Sequence, residues 1–509
     1  MNLLFRVDVS PQIGTGHLMR CLALAQAWQQ AGGKAVFIMA ETALIFEEKL
    51  RTENIEVIKI SPKLGSSEDA QASAILAHQL NSNWLVIDGY NFGDIYQKNI
   101  KNAGLKILFL DDYGHAGYYC ADLVLNQNIS ADPALYTHKE PDTQLLLGTS
   151  YTLLRREFWQ WGGWQRVNPP IAKKILITMG GADYDNVTLK VIQALQLLSG
   201  HALEIVVVIG GSNPHYEEIK LVAQTSGLTI RIERNVNNMR ELMAWADMAV
   251  TAGGSTCWEL AFMGLPSLII ILAENQQAIA QKLHSLQVFI NLGWHSNISP
   301  SEIATAVQEL SLAINTRLAM TKSSQELIDG WGSQRVVRYI KNYFLKLRPV
   351  SIEDSRLLWR WANEPQVRAV SFSSKLIAWQ EHQTWFKSKF NANCIFYIAM
   401  NEDNIPVGQI RYEIEGEEAV ISISIAQEYR QQSYGTYLIE IAQKQIFQNT
   451  GIHLVHAYIK PSNQASIKAF TQAGFHIKDT VIKQGQQAIH LVSTANNLPE
   501  KIYAGNLYC

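Results

Sequence analysis

Short apolar runs alternate with amphipathic stretches from the start of the chain. LLFRVDV (residues 3–9), KAVFIMA (34–40), WLVIDGY (84–90) and KILFLDD (106–112) are brief and rich in β-formers, whereas HLMRCLALAQAWQQAG (17–32) has helical spacing and length. Gly32 and Gly33 punctuate the end of that helix. The alternation predicts a parallel sheet covered by helices. A second series follows residues 168–170 (Asn168, Pro169, Pro170), a hinge-like segment: KILITMGG (174–181), a helix through LKVIQALQLLSG (189–200), then LEIVVVIGG (203–211), LTIRIERNV (228–236), MAVTAGG (248–254) and SLIII (267–271). Near residue 346 the pattern changes. KLRPVSIEDSRLLWRWANE (346–364) reads as a strand and a capped helix, and FYIAM, VGQIRYEI and AVISISIA have the period-two character of antiparallel strands. A helix starting near Ser433, a strand HLVHAYI, a helix SNQASIKAFTQAG and two final strands complete the chain. The expected domains are two α/β lobes, 1–165 and 166–340, and an α+β domain over 346–509.

Composition narrows the classes. The chain has 509 residues, enough for three or four domains, with 47% hydrophobic and 17% charged residues, as ordinary cores require. Forty-three Lys and Arg against 45 Asp and Glu give a net charge of −2, so no global field is available for nucleic acid or an anionic membrane, and neither is an expected partner. The five cysteines, Cys21, Cys120, Cys257, Cys394 and Cys509, are dispersed and form no C-x-x-C pair, which argues against a disulfide framework or a zinc site. Arg6 and Asp8 interrupt the first apolar run, and residues 268–273 are too few to span a bilayer. A cytoplasmic enzyme is the expectation.

Ligands of open α/β sheets bind outside the carboxyl ends of the strands, so the strand exits carry the candidate chemistry. The first exit holds Gly14, Thr15, Gly16 and His17 at a strand–helix junction, where close backbone approach and free helix-start amides favour phosphate oxygens. A neutral imidazole at His17 can accept a proton from water. A dinucleotide fingerprint is an alternative, with Glu41 ending the second strand, but Met19 occupies the third glycine position. A second exit delivers Gly253, Gly254, Ser255 and Thr256 to a helix start, with Glu259 about one turn inside. That arrangement suits a diphosphate on the amides and a ribose on the carboxylate. Asp111 and Asp112 are adjacent acids on a strand end; successive strand side chains point to opposite faces, so a supporting role is expected rather than a paired-carboxylate glycosidase site.

The stretch from Arg234 to Pro266 resembles the nucleotide-binding signature of GT-B glycosyltransferases, and with RVDVSPQIGTGHLMRCLALA the first 340 residues resemble the UDP-sugar hydrolases of pseudaminic acid biosynthesis. The resemblance implies two Rossmann-like lobes of GT-B type, His17 as the base that activates water, and UDP held by loop amides rather than a metal. It further implies sugar contacts from the G-x-G-H-x-x-R-C block, which includes Arg20, from the D-x-Y element Asp88, Gly89, Tyr90, and from Asn275 and Gln276. The family's K-N-Q element reads Glu274, Asn275, Gln276 here.

In the third domain, residues 430–435 form a turn before a helix, a place where backbone donors bind a pyrophosphate. Arg430 and Gly435, with Ser433 in place of the middle glycine and Thr436 following, resemble the acetyl-coenzyme A signature of GCN5-related N-acetyltransferases (GNAT). Asn463, Ser466, Gly474 and Phe475 resemble that family's second block. The resemblance implies acetyl-CoA as co-substrate. The tyrosine often used there as general acid is Phe470 here, leaving Tyr434 and His456 as candidates for that role. Residues 364–374 and 381–390 are like acetyltransferases acting on amino sugars or on ribosomal-protein N-termini, although most of their aromatic residues belong to a core by spacing.

The combined expectation is a bifunctional enzyme. The third domain would N-acetylate a UDP-4-amino sugar, and the two lobes would hydrolyse the product, UDP-2,4-diacetamido-2,4,6-trideoxy-β-L-altropyranose, to UDP and the free sugar. Alternatives are a glycosyltransferase that needs an acceptor, a protein N-terminal acetyltransferase as fusion partner, and a UDP-sugar sensor without turnover.

Overall fold

The computed structural model describes residues 2–494 apart from 11, 12, 43, 182, 199, 201, 235, 237, 391, 392, 402, 432 and 433. Two compact units divide the chain, one running to Val337 and the other starting at Arg338.

The first unit contains two parallel sheets. The first sheet is built from β1 (Asn2–Val7), β2 (Lys34–Met39), β3 (Glu56–Lys59), β4 (Trp84–Asp88), β5 (Lys106–Leu110), β6 (Leu123–Asn126) and β7 (Gln144–Leu147), in the order β3-β2-β1-β4-β5-β6-β7. The second is built from β8 (Lys174–Thr178), β9 (Glu204–Ile209), β10 (Thr229–Arg234), β11 (Met248–Ala252), β12 (Ser267–Ile271) and β13 (Ile290–Trp294), in the order β10-β9-β8-β11-β12-β13. Central strands are buried on both faces, which is why they read as continuous apolar runs and not as alternating ones. Each sheet reverses its strand order once, between β1 and β4 and between β8 and β11. The loops leaving these four strands carry Gly14–His17 chemistry, Asp88, Gly181 and Gly253, so the sequence-derived candidates lie at the two topological switch points.

The polar interruptions of β1 are internal wiring. Arg6 is fully buried; its Nε and Nη2 donate to Asp69 at 2.8 Å each, and its Nη1 pairs with Asp8 at 2.5 Å. The other Asp8 oxygen accepts the amides of Ala40 and Glu41, which fixes the exit of β2. The segment expected to act as a hinge is anchored to the helix Ile314–Leu327. The buried guanidinium of Arg317 donates to the carbonyls of Pro169 and Pro170, and Asn168 donates to Thr321 at 3.0 Å.

The second unit is one mixed sheet of β14 (Lys346–Pro349), β15 (Cys394–Met400), β16 (Pro406–Glu415), β17 (Glu418–Ile425), β18 (Leu454–Ile459), β19 (His476–Lys483) and β20 (Gln486–Thr494), in the order β14-β15-β16-β17-β18-β20-β19. Every pairing is antiparallel except β17 with β18. That parallel pair is joined only from Glu418 to Val420 on one strand and from Leu454 to His456 on the other, after which the strands part. The helix Tyr434–Asn449 makes the crossover between them. Leu358, Trp361 and Phe386 pack with Phe396 and Ile398, but of the aromatic residues preceding β15 only Trp361 and Phe386 are buried, Trp385 is half-buried beside them and Phe390 is exposed, so the core expected from their spacing takes in fewer than most of them.

Candidate active sites

The spacing H-x-x-R-C has a direct structural meaning. Positions i, i+3 and i+4 share one face of a helix, and His17, Arg20 and Cys21 of the helix Gly16–Gln30 all reach one carboxylate, Asp88 at the end of β4. His17 Nδ1 lies 2.6 Å from Asp88 Oδ1, Arg20 donates to both Asp88 oxygens at 2.7 Å, and the Cys21 thiol stands 3.4 Å from Oδ2. Burial alone would push the Asp88 carboxyl up; Arg20 and then His17 outweigh it and hold it well below the ordinary carboxylate range. An ionised Asp88 accepts the Nδ1 proton, which leaves His17 Nε2 as the basic nitrogen.

Asp112 extends this cluster. It accepts from Arg20 at 2.7 Å, from Tyr90 Oη at 2.8 Å and from Asn128 at 2.9 Å. Burial opposes ionisation of Asp112, and Arg20 overrides it, so this carboxyl too is held low. Tyr90 meets the His17 ring edge-on, with centroids 4.8 Å apart; burial and then Asp112 push its phenol up, so it stays a neutral donor. Asn275, from the second lobe, stands 3.5 Å from Tyr90 Oη. Asp111 points the other way and gathers the amides of residues 112–114, His115 and the Tyr119 hydroxyl. The two acids do turn apart, although both lie past the end of β5 and not within the strand, and the supporting role expected of them falls, for Asp112, in the His17 cluster. Asn128 has no signal in the sequence at all.

The glycine-bearing exits face one another. Gly14 has a φ of +79°, and among the described residues Thr15, the residue capping the His17 helix, makes no side-chain cap bond. A Cβ on Gly16 would stand 3.8 Å from Ser255 Oγ, and one on Gly181 would stand 3.0 Å from Thr15 Oγ1. The exits of β8 and β9 are equally close, since a Cβ on Gly210 would lie 2.1 Å from the Gly181 carbonyl oxygen. Gln276 clamps the neighbouring loop: its Oε1 accepts the amides of Gly253 at 3.1 Å and Leu272 at 3.0 Å. Gly254 has open space where a side chain would be. The helix Thr256–Phe262 starts at this loop, and Ser255 makes no side-chain cap bond to it. Glu259 lies within that helix and is oriented by Arg155 of the first lobe, whose Nε and Nη2 donate to Oε1 at 3.1 and 2.8 Å. Arg155 is a further site residue that the sequence did not flag.

In the second unit, Arg430 anchors its own turn: it donates to the Ile425 carbonyl at 2.9 Å, to Gln366 at 2.9 Å and to Glu364. Its side chain is therefore engaged by protein. Ser433 lies outside the described residues. Gly435 is the second residue of the helix Tyr434–Asn449, where an added Cβ would only touch Ile425 at 3.6 Å, and Thr436 is buried behind it. Asn463 caps the helix Gln464–Gln472 by accepting the Ser466 amide at 3.2 Å. Phe470 is buried against Phe475, with ring centroids 4.9 Å apart, and is a core residue. Past Val420 the edge of β17 has no partner strand, so a backbone edge borders the opening in the sheet. The strand edge fits the extended arm of acetyl-CoA, and the start of the helix Tyr434–Asn449 lies where its pyrophosphate would sit.

Residues 174–334 match the glycosyltransferase family 28 C-terminal domain, and residues 345–476 match an acetyltransferase (GNAT) domain. Two doubly wound lobes and a parted mixed sheet thus define a GT-B-type unit followed by a GNAT domain. An uncharacterized protein of Methanocaldococcus jannaschii is 24% identical over 93% of this chain and 96% of its own. The UDP-2,4-diacetamido-2,4,6-trideoxy-beta-L-altropyranose hydrolase of Campylobacter jejuni is 27% identical over 55% of this chain and 95% of its own. Among solved structures, MurG of Acinetobacter baumannii is 17% identical, covering 67% of this chain and 99% of its own with a TM-score of 0.49. Among the described residues, no helix is long and apolar enough to cross a membrane.

Proposed function

We propose that the first unit hydrolyses UDP-2,4-diacetamido-2,4,6-trideoxy-β-L-altropyranose to UDP and the free sugar, and that the GNAT domain N-acetylates the UDP-4-amino precursor from acetyl-CoA. The observation that carries the hydrolase reading is the His17–Asp88 pair, set beside helix-start amides at a switch point and facing the glycine loops of the second lobe. The name of the Campylobacter jejuni relative supports the substrate class. In this reading His17 Nε2 takes a proton from water, the hydroxide oxygen bonds to C1, and the C1–O bond breaks so that UDP leaves with its oxygen. Amides of residues 15–17 and 254–256 stabilise the departing diphosphate. Glu259, aligned by Arg155, holds the ribose, and Tyr90 and Asn275 hold the sugar.

Hydrolysis in ¹⁸O-labelled water tests this. Label at C1 of the sugar is the expected result, with UDP release lost in His17→Gln; label in UDP, or retained turnover in that variant, overturns it. The match to a glycosyltransferase domain favours a second reading, transfer to an acceptor, in which water alone releases little UDP.

A further inference from the structure

Four titratable groups of the GNAT sheet stand in a row at hydrogen-bond distance across four neighbouring strands. Glu418 Oε2 on β17 lies 2.9 Å from His456 Nε2 on β18; His456 Nδ1 lies 2.9 Å from His490 Nε2 on β20; and His490 Nδ1 lies 2.9 Å from Asp479 Oδ1 on β19. The imidazoles are nearly enclosed, with side chains 12% and 7% exposed, whereas both terminal carboxylates are 49% exposed. Tyr458 stacks on His490 with centroids 4.7 Å apart, and Lys483 Nζ lies 4.2 Å from the Tyr458 ring centroid. Burial first, then Asp479, Glu415 and Glu418, push the Tyr458 phenol up, so these are the charged neighbours of the row.

Proton counting gives the row its chemistry. Three contacts between four groups need three protons, each on a ring nitrogen, because an ionised carboxylate only accepts. Two neutral imidazoles supply two. With two, one contact sets a ring lone pair against another acceptor; with a third proton every contact is a hydrogen bond, and one imidazolium lies between two carboxylates. The row is therefore built to take up one proton, and both of its ends open to solvent. His456 is also the last residue of β18 paired to β17, so the row starts where the sheet opens. Directly opposed pairs (Phe396 with Arg411, Arg411 with Ser422, Val420 with His456, Tyr458 with His490) put it on the sheet face that the Leu358, Trp361 and Phe386 layer covers further along.

We propose that Glu418, His456, His490 and Asp479 are a proton relay that deprotonates the amine acceptor of acetyl transfer and discharges the proton to solvent through a terminal carboxylate. This rests on the acetyltransferase reading of the domain and requires only that the acceptor be a primary amine. The ammonium gives one proton to the row and becomes nucleophilic; its nitrogen bonds to the thioester carbonyl carbon and the C–S bond breaks. The second proton lost by nitrogen ends on the coenzyme A sulfur, and the first leaves the row for water, so the row is restored.

Ring-nitrogen NMR of the full chain, with ¹⁵N-labelled histidine, tests the relay without any acceptor. The expected result is one proton taken up by the pair as a unit, with His490→Gln switching the His456 tautomer. Two imidazoles that protonate independently overturn the proposal. In turnover with acetyl-CoA and the UDP-4-amino sugar, His456→Gln and His490→Gln should each lower kcat about 10²-fold or more, at an unchanged KM for acetyl-CoA. The exposed-end double variant Glu418→Gln/Asp479→Asn, which leaves the packed rings in place, should lower kcat about tenfold. Full kcat in all three variants overturns the relay. A wild-type chain that releases no thiol with this sugar overturns the acceptor assignment instead; a peptide N-terminus then serves as the amine for the same variants, and the NMR result stands by itself.

Discussion

Asp88 decides what His17 can do, because the carboxylate selects the ring nitrogen that carries the proton. In Asp88→Asn the amide can donate to Nδ1, which moves the ring proton to Nε2 and removes the base. UDP release should fall about 10²- to 10⁴-fold in kcat, and the weakened contact to the buried Arg20, which keeps Asp112, should cost about 1.5–3 kcal/mol of stability. Rates and thermal melts of the same variant separate the two effects. Asp88 and Asp112, with Asp111, also contribute to the acid limit of the first unit. All three are held below their ordinary value of 3.8, so the stability they contribute is complete above that value and is lost as pH falls towards their folded values. The melting midpoint should be flat above about pH 5 and drop below about pH 4, less steeply in Asp112→Asn. At this scale His17 was legible from its place at a helix start, whereas Arg20 and Asp88 were named only through the family resemblance, and the structure supplies the physical reason for them: one helix face and one strand end. Asp112, Asn128 and Arg155 were not legible as site residues, since their partners are 92, 16 and 104 residues away in the chain.

Strand exits and helix starts were the most legible elements. Both switch points fall where the glycine-bearing exits put them, and the helix expected near Ser433 begins at Tyr434. What pattern could not reveal is how these loops are held. Gln276 satisfies two loop amides from the side, so Gln276→Ala should weaken UDP binding about tenfold by calorimetry without changing the base. Gly435→Glu makes a complementary case in the GNAT unit. An acidic residue in the first turn of the helix Tyr434–Asn449 favours the helix dipole and fits beside Ile425, so folding should be unaffected or slightly improved. The same charge repels a diphosphate, so acetyl-CoA affinity should drop at least tenfold, and more steeply at low salt.

For the molecule as a whole, the proposed reactions are consecutive and their variants should complement. His17→Gln blocks UDP release and Gly435→Glu suppresses thiol release at acetyl-CoA concentrations well below its raised Kd, so under those conditions each alone should yield little free sugar from the UDP-4-amino precursor. A mixture of the two should restore it, with thiol appearing before UDP. Failure of the mixture, while each protein keeps its remaining activity, would show that the acetylated sugar is not the hydrolase substrate. The boundary between the compact units falls inside the helix Gly332–Lys341, where composition marks no break. The proline-rich segment that does mark one is pinned by Arg317 and Thr321.

Periodicity, strand-end glycines and the H-x-x-R-C spacing are local properties, and local backbone geometry is enough to convert them into parallel lobes, phosphate-type loops and a histidine aimed at a strand end. The sequence therefore determined the three-part α/β and α+β plan and the first ring of candidate residues. Tertiary structure alone decided which carboxylate orients His17, that Asp112 joins it while Asp111 turns away, and that Arg155 reaches Glu259 from the other lobe. It alone decided, too, that two histidines 34 residues apart share one hydrogen bond. Those pairings depend on strand order and lobe packing, which bring together positions whose separation along the chain carries no periodic signal.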